Sequence, residues 1–262
     1  MKIKFLKYHG AGNDFILIDN RFQKYSLKNY QIKFLCHRKY GIGSDGLIFL
    51  NHSDDFDFEM IYHNSDGNQS SMCGNGGRCI VGFAKHLNII DSKAKFLAID
   101  GIHEARIHKS SRISLSMSNI NSIKNNNKFV FIDSGSPHHI IQVNDIDKID
   151  VFKMGLKVRS LKKYQPKGVN VNFIEKISNN IFKIRTYERG VENETLACGT
   201  GAVASAIAMH NNGETKQNKI LIKTLGGDLG IKFEYDSNKS SYHRIFLEGD
   251  INLVYEGDIE LL

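Results

Sequence analysis

The stretch "NSDGNQSSMCGNGGRC", residues 64–79, sets a cysteine between a polar loop and closely spaced glycines. Glycine weakens helix and strand alike, so packing gives no reason for it there. A second stretch, "ENETLACGTGAVAS", residues 192–205, repeats the arrangement around another cysteine. The offset between Cys73 and Cys198 is 198 − 73 = 125. At that offset Gly74 meets Gly199, Gly76 meets Gly201, Ser70 meets Thr195 and Asn75 meets Thr200. Gly43 of "GIGSDGLIF" likewise meets Gly168 of "KGVNVNFI". The turns "GAGNDFIL" and "DSGSPHHII" align at 124, bringing Ile16 to Ile140. So many positions sharing one spacing indicate a duplicated chain of two copies.

The elements between these landmarks support that reading. "IKFLKYHG" and "FILID" alternate as strands around a glycine turn, and "SLKNYQIKFLCHRKYG" reads as a helix from an N-cap at Ser26 to a stop at Gly41. Leu27, Tyr30 and Leu35 are expected on its buried stripe. "DGLIFLN" and "FDFEMIYHN" read as strands, "GRCIVGFAKHL" as a helix, and short strands continue to about residue 118. "NINSIKNNN", residues 119–127, reads as a linker. Strand, turn and strand then return in "KFVFIDSGSPHHIIQV", strands in "KGVNVNFIE" and "IFKIRTYERG", and a helix in "CGTGAVASAIAMH". The mixture predicts an α+β fold of two similar domains, 1–118 and 119–252.

Composition narrows the class. Hydrophobic residues make up 41% of the 262-residue chain, enough for a substantial core. The net charge of +7 raises the question of an anionic partner. The most basic segment, "KMGLKVRSLKKYQPK" (153–167), lacks the glycine–aromatic ribonucleoprotein pattern and any zinc-finger spacing. It reads as a solvated lysine-rich face, and no nucleic-acid partner is expected. The four cysteines, Cys36, Cys73, Cys79 and Cys198, form no CxxC pair, and no histidine stands at zinc-ligand spacing from them, so no metal is expected. The charged start "MKIKFLKYHGAGNDF" has no apolar core of a secretory signal, and no apolar run is long enough to span a bilayer. A cytoplasmic protein with reduced thiols is the expectation.

The chemistry lies in the two loops. A loop entering a helix leaves N–H groups pointing outward, and with the helix dipole they attract anions. "CGNG" and "CGTG" thus read as anion cradles. They lack the lysine of a phosphate-binding P-loop, which favours a small carboxylate over a nucleotide. A cysteine there has its thiolate favoured. From an unshifted value of about 8.5, a modest lowering makes it a usable base near neutrality. One such thiolate takes a proton from the carbon beside a carboxylate, and the second thiol returns one to the opposite face. The cradle N–H groups stabilise the charge that develops. Cys36 and Cys79, by contrast, fall on helices as core residues.

The segments "YHGAGNDF", "GIGSDG", "NSDGNQSSMCGNGGR", "GSPH", "GVNVNF" and "YERGVENETLACGTGA" resemble, in order and spacing, the diaminopimelate epimerase family. The resemblance covers nearly the whole chain. It implies two domains, each a mostly antiparallel or mixed sheet curled around a central helix, with the active site in the cleft between them and the last strand, 253–262, returning to the first domain. It implies a cytoplasmic homodimeric isomerase, needing neither pyridoxal phosphate nor metal. The implied reaction interconverts LL- and meso-2,6-diaminoheptanedioate for lysine and peptidoglycan synthesis. On the matching motifs, Cys73 and Cys198 correspond to the acid–base pair. Gly74, Asn75, Gly199 and Thr200 correspond to the carboxylate cradle. Asn13, Asn64, Asn170, Glu188 and Arg189 correspond to groups holding the amines and the distal carboxylate, and His138 to a site histidine. Gly46 stands where many members have Gln, and Ser136 where many have Asn, both near the substrate in the family pattern. Proline racemases use related loops but carry His where this chain has Asn75.

Three rival readings can be separated from this one. A racemase of another amino acid, such as proline or hydroxyproline, would exchange that substrate's α-hydrogen instead. A non-enzymatic anion-binding module would tolerate loss of either cysteine. A redox protein would need a Cys73–Cys198 disulfide for activity.

Overall fold

The computed structural model describes residues 1–126 and 128–261; Asn127 of the expected linker and Leu262 of the expected last strand lie outside the described residues. The chain divides into two compact units, Met1–Leu115 with Asp250–Leu262, and Ser116–Gly249.

In the first unit, β1 (Lys2–Gly10) and β2 (Asn13–Asp19) form an antiparallel hairpin. Its two-residue turn has positive φ at both Ala11 (52°) and Gly12 (80°), the backbone that matches strand twist in a tight hairpin. Helix α1 (Asn29–Cys36) carries the chain across to β3 (Gly46–Asn51), parallel to β2. Strand β4 (Phe58–Asn64) returns antiparallel to β3. Helix α2 (Gly74–His86) then crosses to β5 (Lys93–Ala98), parallel to β4, and β6 (Gly101–Ile107) and β7 (Ile113–Met117) follow as antiparallel neighbours.

The second unit repeats the plan. Strand β8 (Ile123–Asn126) pairs antiparallel with β9 (Phe129–Asp133), and β9 with β10 (Pro137–Gln142). Helix α3 (Val151–Arg159) leads to β11 (Asn170–Lys176), parallel to β10, and β12 (Ile181–Glu188) is antiparallel to β11. After β13 (Asn193–Thr195), helix α4 (Gly199–Asn211) crosses to β14 (Lys219–Thr224), parallel to β12. Strands β15 (Gly227–Asp236) and β16 (Ser241–Gly249) complete it. The last strand, β17 (Asn252–Glu260), pairs antiparallel with β1, as β8 does with β9. The duplication extends to register: Ile16 faces Leu47 across β2 and β3, and Ile140 faces Asn172 across β10 and β11, displaced by 124 and 125.

Each sheet packs around one helix. α2 lies against β1, β2, β3, β4 and β6, and α4 against β9, β10, β11, β12, β14, β15 and β16. Every α4 residue from Gly199 to Met209 is buried, which its alanine-rich sequence allows without crowding. In α2 the close approach falls on glycines: a Cβ on Gly77 would collide with Met72 Cε and reach Leu115 Cδ2 at 2.7 Å. Phe15, Phe58, Phe83 and Phe96 fill the first unit, and Phe173, Phe182 and Phe233 the second, each stabilising by about 1.5–3 kcal/mol through burial.

Two expectations are corrected. The first helix is only Asn29–Cys36; Lys28, not Ser26, is its N-cap, with Gln31 Oε1 accepting from the Lys28 N–H at 2.9 Å. It stops before Gly41 because the Leu35 carbonyl takes the N–H groups of Ile42 and Gly43. Ile32, Leu35 and Cys36 form its buried face, Leu27 packs beside that cluster, and Tyr30 is 66% exposed. The expected linker instead contains β8, and Ile120 is buried in a bridge to Tyr242, because its two isoleucines find apolar partners.

Candidate active site

Cys73 and Cys198 occupy the same place in their units. Each is the N-cap of the central helix, with extended backbone at φ −109°, ψ 120° for Cys73 and φ −118°, ψ 111° for Cys198. The cysteine carbonyls accept the first helical bonds, from Gly77 N at 2.7 Å and Ala202 N at 2.9 Å. The N–H groups of Gly74–Gly76 and Gly199–Gly201 therefore precede the first helical bond at the positive end of each dipole. Cys73 is half-buried and Cys198 is 6% exposed.

In the first unit, Cys73, Asn75 and Asn13 come together. Asn13 Oδ1 accepts from Asn75 Nδ2 at 3.2 Å and from Cys73 Sγ at 3.6 Å. Asn13 Nδ2 donates to Asp45 Oδ2 at 2.7 Å, and Asp45 is gripped in turn by Arg38 at 2.7 Å. Arg38 also forks onto Asp14 at 3.0 and 2.8 Å, and Lys7 pairs with Asp14 at 2.8 Å. Burial alone would raise Asp14, but hydrogen bonds from Arg38 and Lys7 prevail and hold it at about 2. On the helix, Arg78 is fully buried and donates to the Gly74 carbonyl at 3.1 Å and to Asn75 Oδ1 at 2.9 Å. Burial lowers its pKa, and Cys79, Cys73, Arg112 and Asp250 contribute to its field. Asn64 closes β4 opposite Gly46. A Cβ at Gly46 would meet Tyr62 Cε2 at 2.5 Å and the His63 carbonyl at 2.6 Å, so the missing side chain makes room for the tyrosine ring.

In the second unit, Cys198 Sγ lies 3.5 Å from Thr200 Oγ1, which lies 2.9 Å from His138 Nε2. His138 Nδ1 meets Asn172 Nδ2 at 2.9 Å, and Asn172 Oδ1 accepts from Thr186 Oγ1 at 2.9 Å. Burial pushes His138 down to about 3, helped by the Arg189 charge. Ser136, Asn170 and Arg189 form a second cluster. Ser136 Oγ accepts from Asn170 Nδ2 at 3.0 Å and from Arg189 Nη2 at 3.2 Å, and Asn170 Oδ1 accepts from the Arg189 N–H at 3.0 Å. Ser136 thus orients the arginine despite its short side chain. Glu188 accepts from Thr195 Oγ1 at 2.5 Å. Glu192 is engaged by Arg159 at 2.9 Å.

The remaining cysteines are unlike these two. Burial pushes Cys36 up to about 11 and raises Cys79 further. Sequence reasoning missed Arg78, Asp45, Asn172 and Thr186. The repeat held a signal for the first: at offset 125 Arg78 stands opposite Val203, a charge against an apolar residue on the same buried helix face. Among the described residues no three His, Cys, Asp or Glu side chains are placed to hold a metal ion, and no helix is long and apolar enough to cross a membrane.

These paired sheets around buried helices define a class seen in solved structures. A phenazine biosynthesis protein of the PhzF family from Bacillus anthracis superposes with a TM-score of 0.79 over 100% of both chains, at 13% identity. A hydroxyproline epimerase from Agrobacterium vitis gives 0.73 over 98% of this chain and 92% of its own, at 12% identity. Within that fold the sequence is more specific. The family model described as diaminopimelate epimerase matches residues 5–121 and 130–254, and the chain belongs to that family. The diaminopimelate epimerase of Flavobacterium psychrophilum is 49% identical over 98% of this chain and 100% of its own length. That of Chlorobaculum tepidum is 40% identical over 96% and 99%.

Proposed function

We propose that the chain is an isomerase interconverting LL- and meso-2,6-diaminoheptanedioate, with Cys73 and Cys198 as its acid–base pair. One observation carries the residue assignment: two cysteines cap the two central helices with the same backbone geometry. A thiolate at one helix end removes the α-proton, and the thiol at the other supplies a proton to the opposite face, inverting the centre. The first-turn N–H groups, with Asn75 and Thr200, hold the carboxylate whose charge grows as the carbanion forms. Arg189 is suited to the distal carboxylate, because a guanidinium grips one with two hydrogen bonds. Asn13, Asn64, Asn170 and Glu188 complete the reading as partners of the amines and carboxylates, with His138, Ser136 and Gly46 beside them.

The test is epimerisation of LL-2,6-diaminoheptanedioate by purified chain without added cofactor, in heavy water. Deuterium at the α-carbon of the product is expected. Exchange on proline or hydroxyproline with none on the diamino acid would replace this substrate. Family membership also supports a cytoplasmic homodimer as part of the same proposal, and sedimentation equilibrium tests the dimer.

A further inference from the structure

The turn that carries Arg189 is held by side chains that no reading of the site has used. Strands β12 and β13 pair from Thr186 with Thr195 to Glu188 with Asn193, so residues 189–192 form the loop between them. The loop closes through the Glu192 N–H, which donates to the Glu188 carbonyl at 2.8 Å. Glu192 has φ 56°, a left-handed backbone that a residue other than glycine keeps only where its surroundings over-determine it. Its carboxylate supplies those surroundings. Glu192 Oε1 accepts from the Gly190 N–H at 3.0 Å and from Arg159 Nε and Nη2 at 3.0 and 2.9 Å, and Oε2 accepts from the Tyr187 hydroxyl at 3.2 Å. Burial alone would raise this carboxylate, but the bonds from Gly190 and Arg159 prevail and hold it below its usual range.

Arg159 is anchored in turn. It ends α3, its carbonyl accepts from Gln165 Nε2 at 3.2 Å, and its guanidinium lies against the bare backbone of Gly168, where a Cβ would come within 2.6 Å of Cζ. With Glu192 held there, Arg189 donates to the Lys167 carbonyl at 3.3 Å and the Ser136 hydroxyl at 3.2 Å, and meets no carboxylate among the described residues. The first unit contains the same device. Gly43, the counterpart of Gly168, lies under Arg38, a Cβ there coming within 2.9 Å of Arg38 Cα. Arg38 grips Asp45, and Asp45 orients Asn13.

We propose that Glu192 and Arg159 are paired positioning residues: they fix the turn at 189–192 and leave the Arg189 guanidinium aimed and unneutralised for the distal carboxylate. This rests on reading Arg189 as the group that takes that carboxylate. Glu192 is the carboxylate nearest to Arg189 along the loop, and Arg159 draws it to the other side of the turn. The Arg189 N–H, donating to Asn170 Oδ1 at 3.0 Å, carries the order of the turn into the site.

Two measurements on the full chain decide it, each made on Glu192→Gly and Arg159→Met. Glycine takes the left-handed backbone freely, so Glu192→Gly removes the carboxylate and leaves the turn's conformation accessible. In the unliganded nitrogen-15-labelled chain, amide hydrogen exchange at Gly190 and Arg189 should run about tenfold faster in both variants. Unchanged exchange at Arg189 in either one would overturn the proposal. With LL-2,6-diaminoheptanedioate, each variant should raise KM about tenfold and keep kcat within about threefold, because the distal carboxylate does not react. A fall in kcat at unchanged KM would overturn it. The double variant should match the worse single variant within about twofold in KM, and effects that multiply would overturn the pairing. A chain that epimerises nothing, yet shows the faster exchange at both amides, loses the function and keeps the clamp.

Discussion

The two helix ends have one backbone and two different hydrogen-bond settings. At Cys73 one partner is an acceptor, Asn13 Oδ1, and a buried cation, Arg78, orders the neighbouring Asn75. At Cys198 one partner is a hydroxyl, that of Thr200, which also meets a buried histidine, and Val203 stands where Arg78 would be. The same divergence recurs one layer out. At offset 124 the ionised Asp14 corresponds to the neutral His138, and at 125 Asp45 corresponds to Asn170. Duplication preserved the frame on which each sulfur sits, while side chains behind the frame were free to differ, because each needs satisfaction only from its own unit.

The largest test of this comparison is to remove each sulfur. Cys73→Ala and Cys198→Ala should each lower the epimerisation rate by about 10²–10⁴-fold with unchanged circular dichroism. A variant retaining full rate would break the symmetry on which the acid–base assignment rests.

Next comes the charge present in only one copy. Arg78→Met should destabilise the chain by about 1–3 kcal/mol in urea melts, because the Asn75 oxygen loses a charged donor, partly offset by relief of a buried cation. It should also slow iodoacetamide labelling of Cys73. Equal labelling would mean that Arg78 only shapes the helix end.

The titratable pair separates by pH. His138 has a folded pKa of about 3, below its ordinary value, so the unfolded chain binds more protons between the two. Its contribution is complete above about pH 6.5 and falls by about 1.4 kcal/mol per unit as pH drops toward 3. Asp14, held at about 2, loses its contribution only below about pH 4. His138→Leu should flatten the melting profile between pH 6.5 and 4, whereas Asp14→Asn should lower stability by a constant amount across that window and change the slope only below it.

The smallest contrast is between matched glycines. Gly201→Ala drives a methyl into Asn172 Oδ1 and the Cys198 side chain, and should cost about 1–3 kcal/mol. Gly76→Ala meets the Ile48 Cδ1 methyl at 2.9 Å, a side-chain end that can turn aside, and should cost less. Paired urea melts would reverse the reading if Gly76→Ala proved the worse.

Much of this was legible in the chain because it is local. The N-cap positions of Cys73 and Cys198, the β1–β2 turn and the α4 span follow from glycine, alanine and strand alternation over a few residues. Asn13, Asn75 and Cys73 do assemble, as do Ser136, Asn170 and Arg189. The errors arose where distant neighbours decide. Tyr30 fits a helical stripe but faces solvent, and the asparagine-rich segment at 119–126 looks like a linker until Ile120 finds Tyr242.

By itself the sequence determined the duplication, the two cysteine-capped helices and the family, because repeat spacing and glycine placement are written along one dimension. The tertiary structure alone decided what each sulfur faces. A series of hydrogen bonds from Thr186 through Asn172 and His138 to Thr200 joins four separate elements, β12, β11, β10 and α4, and which side chains meet there depends on packing that only folding supplies.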